Sequence, residues 1–273
     1  MIRMTAPAVP VKFNNKPMTL LIGLFFMATI SLAAAPAVAK LSPAQRIDSK
    51  HLGYELQYWV YTPEQDAASA LPSLYVTDGA AYLAAGQMEQ ILDNEIKQGR
   101  IQPLHVIFVD SRDPDNLRNN RRNQEFMCNS QYASFYKEEL IPAVERQYKS
   151  LQDRAQRGIM GLSFGGTNAA CFGLLLPDLF SKIGMHSPAS GQHLNVLTQM
   201  YKKSSFSELK FFHSVGTKND NLGANRKFHR VLKAKGYQTH FIEVRYGHDW
   251  DNWRPLIDDL LQSLYPASLI TAN

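Results

Sequence analysis

From Tyr54 onward the chain alternates short apolar runs with longer amphipathic stretches. Tyr54, Leu56, Tyr58 and Val60 fall at every second position, the period of a strand near a sheet edge. The runs LPSLYVTDG, LHVIFVD, RGIMGLS, FSKIGMHSP, FFHSVGT and HFIEVRYG are rich in β-branched and aromatic residues and stop at polar or Gly-containing turns, as buried strands do. Helical spacing fills the intervals. Residues 80–99 place Leu83, Met88, Ile91, Leu92 and Ile96 on roughly one face, and residues 132–148 predict a helix that Pro142 kinks or restarts. GGTNAACFGLLL, the region from Gly191, NLGANRKFHRVLKAKG and a last stretch from about Asp251 to Leu264 complete the set. Residues 111–130 read as a long polar loop, and the stretch before Tyr54 as a short polar lead.

Strand and helix alternating in this way predict an α/β protein with a mostly parallel central sheet covered by helices on both faces. Ligands in such sheets bind beyond the carboxyl ends of the strands, so polar residues that follow different strands can share one mouth.

The first forty residues do not follow this pattern. Lys12 and Lys16 precede the apolar run TLLIGLFFMATISLAAA, and PAVAK follows with Ala37 and Ala39 at small-x-small spacing. Basic head, apolar middle and small-residue exit predict a signal peptide over residues 1–39, cleaved after Ala39; a retained anchor is the competing reading. Residues 40–273 are then a single exported domain, periplasmic or secreted, with no stable membrane span after cleavage. A chain of 273 residues that is 45% hydrophobic can bury one sizeable core. The formal charge is +5, but Lys and Arg are dispersed apart from Arg118, Arg121 and Arg122, which argues against a nucleic-acid partner. Cys128 and Cys171 are the two cysteines, compatible with one bridge in an oxidising compartment or with two buried thiols. No Cys/His cluster has metal-ligand spacing, so neither a metal nor another cofactor is expected.

Gly161-Leu162-Ser163-Phe164-Gly165 has the G-x-S-x-G spacing of a nucleophile elbow, between a predicted strand and a predicted helix. A serine on so sharp a turn crowds its neighbours, and the glycines two positions either side relieve it. The helix N-terminus behind it points amides toward a developing oxyanion. A serine hydroxyl needs a base, and among the eight histidines His248 directly follows the last strong strand. His186, at the end of the strand after the nucleophile helix, is a candidate to line the pocket or a structural histidine. Asp220 is the only carboxylate in the loop GTKNDN and is the candidate to orient His248; its competing role is a helix cap. Phe164, and Ala80 in the loop Thr77-Asp78-Gly79-Ala80, are the candidate oxyanion amides.

LYVTDGAAY, RNQEFMCN with FYKEELIPAVERQY, GIMGLSFGGTNAA, FSKIGMHSPAS and GHDWDNWRPLIDDLL together resemble the esterase family that includes enterochelin (enterobactin) esterases, mycolyltransferases and S-formylglutathione hydrolases. The resemblance implies an α/β-hydrolase fold and a Ser-Asp/Glu-His triad, carried here by Ser163, Asp220 and His248. The Arg122-to-Asn129 stretch followed by ELIP, and the GHDW-x-x-WR ending, are most similar to siderophore esterases of the compact exported kind, some of which use a Ser-His dyad. That implies a small-molecule ester substrate, a catecholate trilactone or its ferric siderophore complex. Arg122 and Trp250 are then candidate substrate contacts, beside the alternative that the loop arginines are merely solvated. An acyltransferase, a carbohydrate-linked or feruloyl esterase and a catalytically silent binding protein are the competing readings.

Overall fold

The run His105–Asp110 is buried along its whole length and forms the strand that joins two halves of the central sheet. The computed structural model describes residues 10, 40–64, 70–205 and 208–267. The expected signal peptide, residues 1–39, lies outside the described residues apart from Pro10. In chain order the strands are β1 (Lys40–Leu41), β2 (Gln45–Ser49), β3 (Tyr54–Thr62), β4 (Ser73–Val76), β5 (His105–Asp110), β6 (Arg112–Asp113), β7 (Asn116–Asn120), β8 (Arg157–Leu162), β9 (Lys182–His186), β10 (Lys210–Gly216) and β11 (Gln238–Val244). The helices are α1 (Gly79–Ala84), α2 (Met88–Lys97), α3 (Arg122–Glu125), α4 (Ser130–Phe135), α5 (Ile141–Gln147), α6 (Phe164–Leu175), α7 (Gly191–Lys203), α8 (Leu222–Ala234), α9 (Trp250–Trp253) and α10 (Ile257–Leu264).

The sheet runs β1-β3-β5-β4-β8-β9-β10-β11, with β2 also paired to β3. From β5 to β11 every pairing is parallel, while β3 lies antiparallel to β5 with Tyr58 opposite Val109. Alternate side chains feed two cores. Ile107, Val109 and Ile159 enter one, with Phe135, Phe172 and Leu194. Val106, Phe108 and Met160 enter the other, with Met88, Leu92 and Leu260. Helix α6 is buried from Gly165 to Gly173, as a helix that is apolar all round must be.

The chain passes from β4 to its neighbour β5 and then back across β4 to β8, so the strand order reverses between β4 and β8. A crevice opens at such a reversal. The loops after β4, β8, β9, β10 and β11 carry the site described below.

Several elements differ from the expectations. The polar lead pairs as β1 and β2 on β3. The helix expected over residues 80–99 divides after Ala84, where Gln87 takes φ +51° and the chain turns so tightly that a Cβ on Gly86 would lie 2.5 Å from the Tyr82 carbonyl. Residues 132–148 break into α4, a π turn at Tyr136–Leu140 and α5, with Pro142 in the first turn of α5 where its missing N–H costs least. The expected loop 111–130 holds the hairpin β6–β7 and the short α3. Pro255 separates α9 from α10 through a 3₁₀ turn. Cys128 and Cys171 are bridged, tying the segment after α3 to the middle of α6. Among the described residues no helix is long and apolar enough to cross a membrane.

Candidate active site

Ser163 stands between β8 and α6 with φ +55° and ψ −123°, a conformation L-residues seldom adopt and which surrounding contacts must enforce. Its amide donates to the His186 carbonyl at 2.9 Å, and its carbonyl accepts from Thr167 and Ala189. The flanking glycines are needed for a reason beyond the turn itself. A Cβ on Gly161 would lie 2.1 Å from Thr77 Oγ1 and 2.5 Å from the Gly165 carbonyl carbon; one on Gly165 would lie 2.8 Å from Asp78 Oδ2. The loop after β4 therefore packs directly on the elbow.

His248 Nε2 lies 2.8 Å from Ser163 Oγ. Its Nδ1 is hydrogen-bonded to Asp220 Oδ1, and the ring packs edge-on against Trp253. The loops that carry the two partners are joined by backbone bonds, Thr217 N to the Val244 carbonyl and Lys218 N to the Tyr246 carbonyl. Asp220 is buried and does not cap the following helix, whose N-cap is Asn221. Its Oδ2 accepts from the Gly216 amide at 2.6 Å, the Ser187 hydroxyl at 2.5 Å and Asn252 Nδ2 at 3.1 Å. Asp249, the nearest carboxylate in sequence, instead accepts from the Asp251 and Asn252 amides at the start of α9.

Phe164 and Ala80 both fall in the first turn of a helix, where amides have no partner four residues back. The Asp78 carbonyl accepts from Ala81 and Tyr82, which fixes the turn that carries Ala80. A cleft of about 360 Å³ opens on this side, lined by Asp78, Ala80, Ala81, Ala84, Asp110, Arg112 and Asn120.

The other expected contacts fall differently. His186 does not line a mouth: it is fully buried, its Nδ1 lies 3.0 Å from the Tyr82 hydroxyl and its Nε2 3.3 Å from the Leu256 carbonyl. A carbonyl only accepts, so Nε2 carries the proton and Nδ1 accepts from Tyr82. Burial pushes this imidazole down to about 4, so it is neutral and structural. Arg122 is not a solvated loop charge: it forms a two-pronged pair with Asp78. Trp250 is half-buried and meets Tyr82 and Trp253 edge-on.

Sequence reasoning missed Ser187 and Asn252, which hold Asp220, and Trp253, whose indole donates to Ser187 Oγ at 2.9 Å. Ser187 follows a strand end and takes φ +44°, a position that chain order marks as loop but not as ligand. Among the described residues no cluster of His, Cys, Asp or Glu has metal-binding geometry.

A mostly parallel sheet of this strand order, with a strained serine between strand and helix and a carboxylate and a histidine arriving after the last two strands, β10 and β11, has the α/β-hydrolase fold. A profile of the family described as "Putative esterase" matches residues 49–264, and the chain belongs to that family. It is 26% identical over 230 residues to the uncharacterized protein YjcH of Bacillus subtilis (strain 168), covering 79% of this chain and 94% of the relative. It is 23% identical over 225 residues to the iron(III) enterobactin esterase of Dickeya dadantii (strain 3937), covering 76% of this chain and 51% of the relative, so it spans about half the length of that protein. A solved ferulic acid esterase superposes with a TM-score of 0.71 at 20% identity, over 83% of this chain and 98% of that one.

Proposed function

We propose that this esterase-family protein works as a serine hydrolase, with Ser163 as nucleophile, His248 as base and Asp220 as the acid that orients it. The observation that carries this is the row Ser163 Oγ, His248 Nε2 and Nδ1, Asp220 Oδ1, assembled by loops from three strand ends. As Ser163 Oγ attacks an ester carbonyl, His248 Nε2 takes its proton and Asp220 supports the imidazolium that forms. The amides of Phe164 and Ala80 receive the oxyanion. Collapse breaks the bond to the alcohol, which leaves with the proton from His248. Water, deprotonated by the same imidazole, then attacks the acyl-enzyme and releases the acid and Ser163.

The ester class follows from the relatives. An exported protein acting on a catecholate siderophore trilactone is the reading favoured by the enterobactin esterase relative. The fold shared with a ferulic acid esterase supports a carbohydrate-linked phenolic ester as the second reading. An acyltransferase would use the same residues with an alcohol in place of water. Trp250, two residues after His248 and packed on Trp253, which meets the His248 ring, is a candidate substrate contact, and residues 1–39 are the proposed export signal. The test is Ser163→Ala: the variant stays folded, hydrolyses no aryl ester and takes up no fluorophosphonate. Turnover equal to wild type would overturn the assignment, and product analysis on trilactone, feruloyl and aryl esters ranks the substrates.

A further inference from the structure

Arg122 opens α3, in the segment that follows the exposed hairpin β6–β7. Its Nε donates to Asp78 Oδ1 at 3.0 Å and its Nη2 to Asp78 Oδ2 at 2.7 Å, a fork-to-fork pair. The guanidinium carbon also lies 5.5 Å from the ring centres of both Phe126 and Phe164. The pair is sheltered, with side chains 22% and 12% exposed. Asp78 itself is held at φ +56°, two residues before Ala80, and its carboxylate packs on Gly165. One guanidinium therefore reaches both the ring of Phe164 and the side chain of Asp78, the residue whose carbonyl accepts from Ala81 and Tyr82 in the turn bearing Ala80.

The platform under Arg122 is fixed as well. Asn129 Nδ2 donates to the Gln124 carbonyl at 2.7 Å, Glu125 is buried, and the Cys128–Cys171 bridge fastens the end of the segment to α6. Both donor edges that face Asp78 are engaged, and burial raises the Asp78 pKa against the pull of Arg122. Without Arg122, that turn would hold a sheltered carboxylate stripped of its hydrogen-bonded counter-ion, left only with the pull of Arg112, which is itself paired with Asp110.

We propose that Arg122 is a positioning residue: through Asp78 and Phe164 it fixes the Ala80 and Phe164 amides against each other, and it is not a ligand for substrate. The proposal rests on the serine-esterase reading above. Oxyanion donors act only if held in place before charge develops, so loosening one of them slows the chemical step more than it weakens ground-state binding.

The test compares Arg122→Gln, Arg122→Lys, Asp78→Asn and the double variant Asp78→Asn/Arg122→Gln on a neutral aryl acetate and on an aryl ester bearing a carboxylate. For Arg122→Gln and Asp78→Asn, kcat is expected to fall about 10- to 100-fold on both esters, less than the roughly 10²- to 10³-fold of deleting an oxyanion donor, because the amides are displaced and not removed. KM stays within about twofold of wild type, as expected when transition-state contacts alone are lost. Labelling by a fluorophosphonate slows in parallel, because its phosphonyl oxygen meets the same amides. Arg122→Lys recovers part of the rate, and the double variant is no slower than either single one, since both break one contact. A rise in KM confined to the carboxylate ester, with kcat on the acetate kept, would make Arg122 a substrate ligand and overturn the proposal. So would an Asp78→Asn variant of wild-type rate. If Arg122→Gln fails to fold, Arg122→Lys and Asp78→Asn carry the same outcomes. A wild-type protein that neither hydrolyses esters nor takes the probe overturns the esterase reading itself. A labelled wild type with unaffected variants overturns only the role of Arg122.

Discussion

Ser187 donates its hydroxyl to Asp220 Oδ2 over 2.5 Å, and Ser187 Oγ in turn accepts the indole N–H of Trp253 at 2.9 Å. With the Gly216 amide and Asn252 Nδ2, these contacts leave Oδ1 of the carboxylate to His248. Asp220→Asn is expected to lower kcat on an aryl ester about 10²- to 10⁴-fold, because an amide there no longer supports the imidazolium. Ser187→Ala removes one donor and should cost about tenfold, the worth of one hydrogen bond to a charged group. Steady-state kinetics decides: if Asp220→Asn turns over at nearly the wild-type rate, Ser163 and His248 act as a dyad.

The Cys128–Cys171 bridge closes a chain separation of 43 residues that includes the elbow. In the chain-entropy view a loop of that size contributes about 4 kcal/mol. The Cys128→Ser/Cys171→Ser variant should therefore unfold at lower denaturant by a free energy of that order, or less where the unfolded chain keeps structure. Chemical denaturation with and without reductant measures it, and reductant should lower the midpoint of the wild type alone.

The strands were legible because β5, β8 and β10 are apolar runs with no competing helical period, and a run of six buried residues in β5 can be little else. Chain order then points to Ser163, Asp220 and His248 as residues that follow the ends of three parallel strands, β8, β10 and β11. The hairpin β6–β7 was not legible, since β7 is the fully exposed NLRNN and carries no alternation to mark a covered face. Nor was the surrounding polar set. Ser187 and Asn252 are ordinary loop and helix residues until three loops converge on Asp220. His186 ends a strand on the correct side, which suits a pocket residue and a structural histidine alike, and only Tyr82 and Leu256 closing over it decide for the second. Arg122 is open in the sequence to a substrate contact or a solvated charge because its partner, Asp78, lies 44 positions away.

Glu125 should make stability fall as pH rises. Its carboxyl is buried on α3, hydrogen-bonded to Tyr54 and near Arg121, Asp78, Ser111, Tyr132 and Tyr136. Burial is the main cause that pushes it from 4.5 up to about 8, against the opposing pull of Ser111, Tyr54 and Arg121. The folded state therefore binds this proton more tightly than the unfolded state. Its contribution is full below about 4.5 and is lost progressively as pH rises toward about 8. Denaturation midpoints across that window should decline with pH in the wild type and decline less in Glu125→Gln. Identical slopes would show that Glu125 does not titrate there.

His186 should act in the opposite direction on the acid side. Burial holds its imidazole at about 4 in the folded protein against an ordinary value of 6.5, so the unfolded chain binds the proton first. Stability is whole above 6.5 and is lost as pH falls toward 4. His186→Gln keeps a polar side chain between Tyr82 and Leu256, and its stability should depend less on pH across that range. A fall as steep as that of the wild type would assign the acid sensitivity to other groups, of which buried His213, also held at about 4, is the first to examine.

Gly161 and Gly223 separate steric need from mere flexibility. A methyl at Gly161 would meet Thr77 Oγ1 at 2.1 Å and backbone of Gly165 at 2.5 Å, and neither β8 nor the elbow can retreat without moving Ser163. Gly161→Ala should cost about 3 kcal/mol or more, the upper range for inserting a methyl into packed structure. It should also lower activity in whatever fraction folds, because the same shift moves the nucleophile away from His248. At Gly223, in the first turn of α8, nothing lies within 4 Å of the added carbon. Gly223→Ala should leave stability unchanged or raise it by up to about 1 kcal/mol, the difference in helix propensity. Thermal unfolding of the two variants side by side tests whether the elbow is built by contact with the loop after β4: equal, small effects at both positions would mean that loop gives way, and that Ser163 is not held by it.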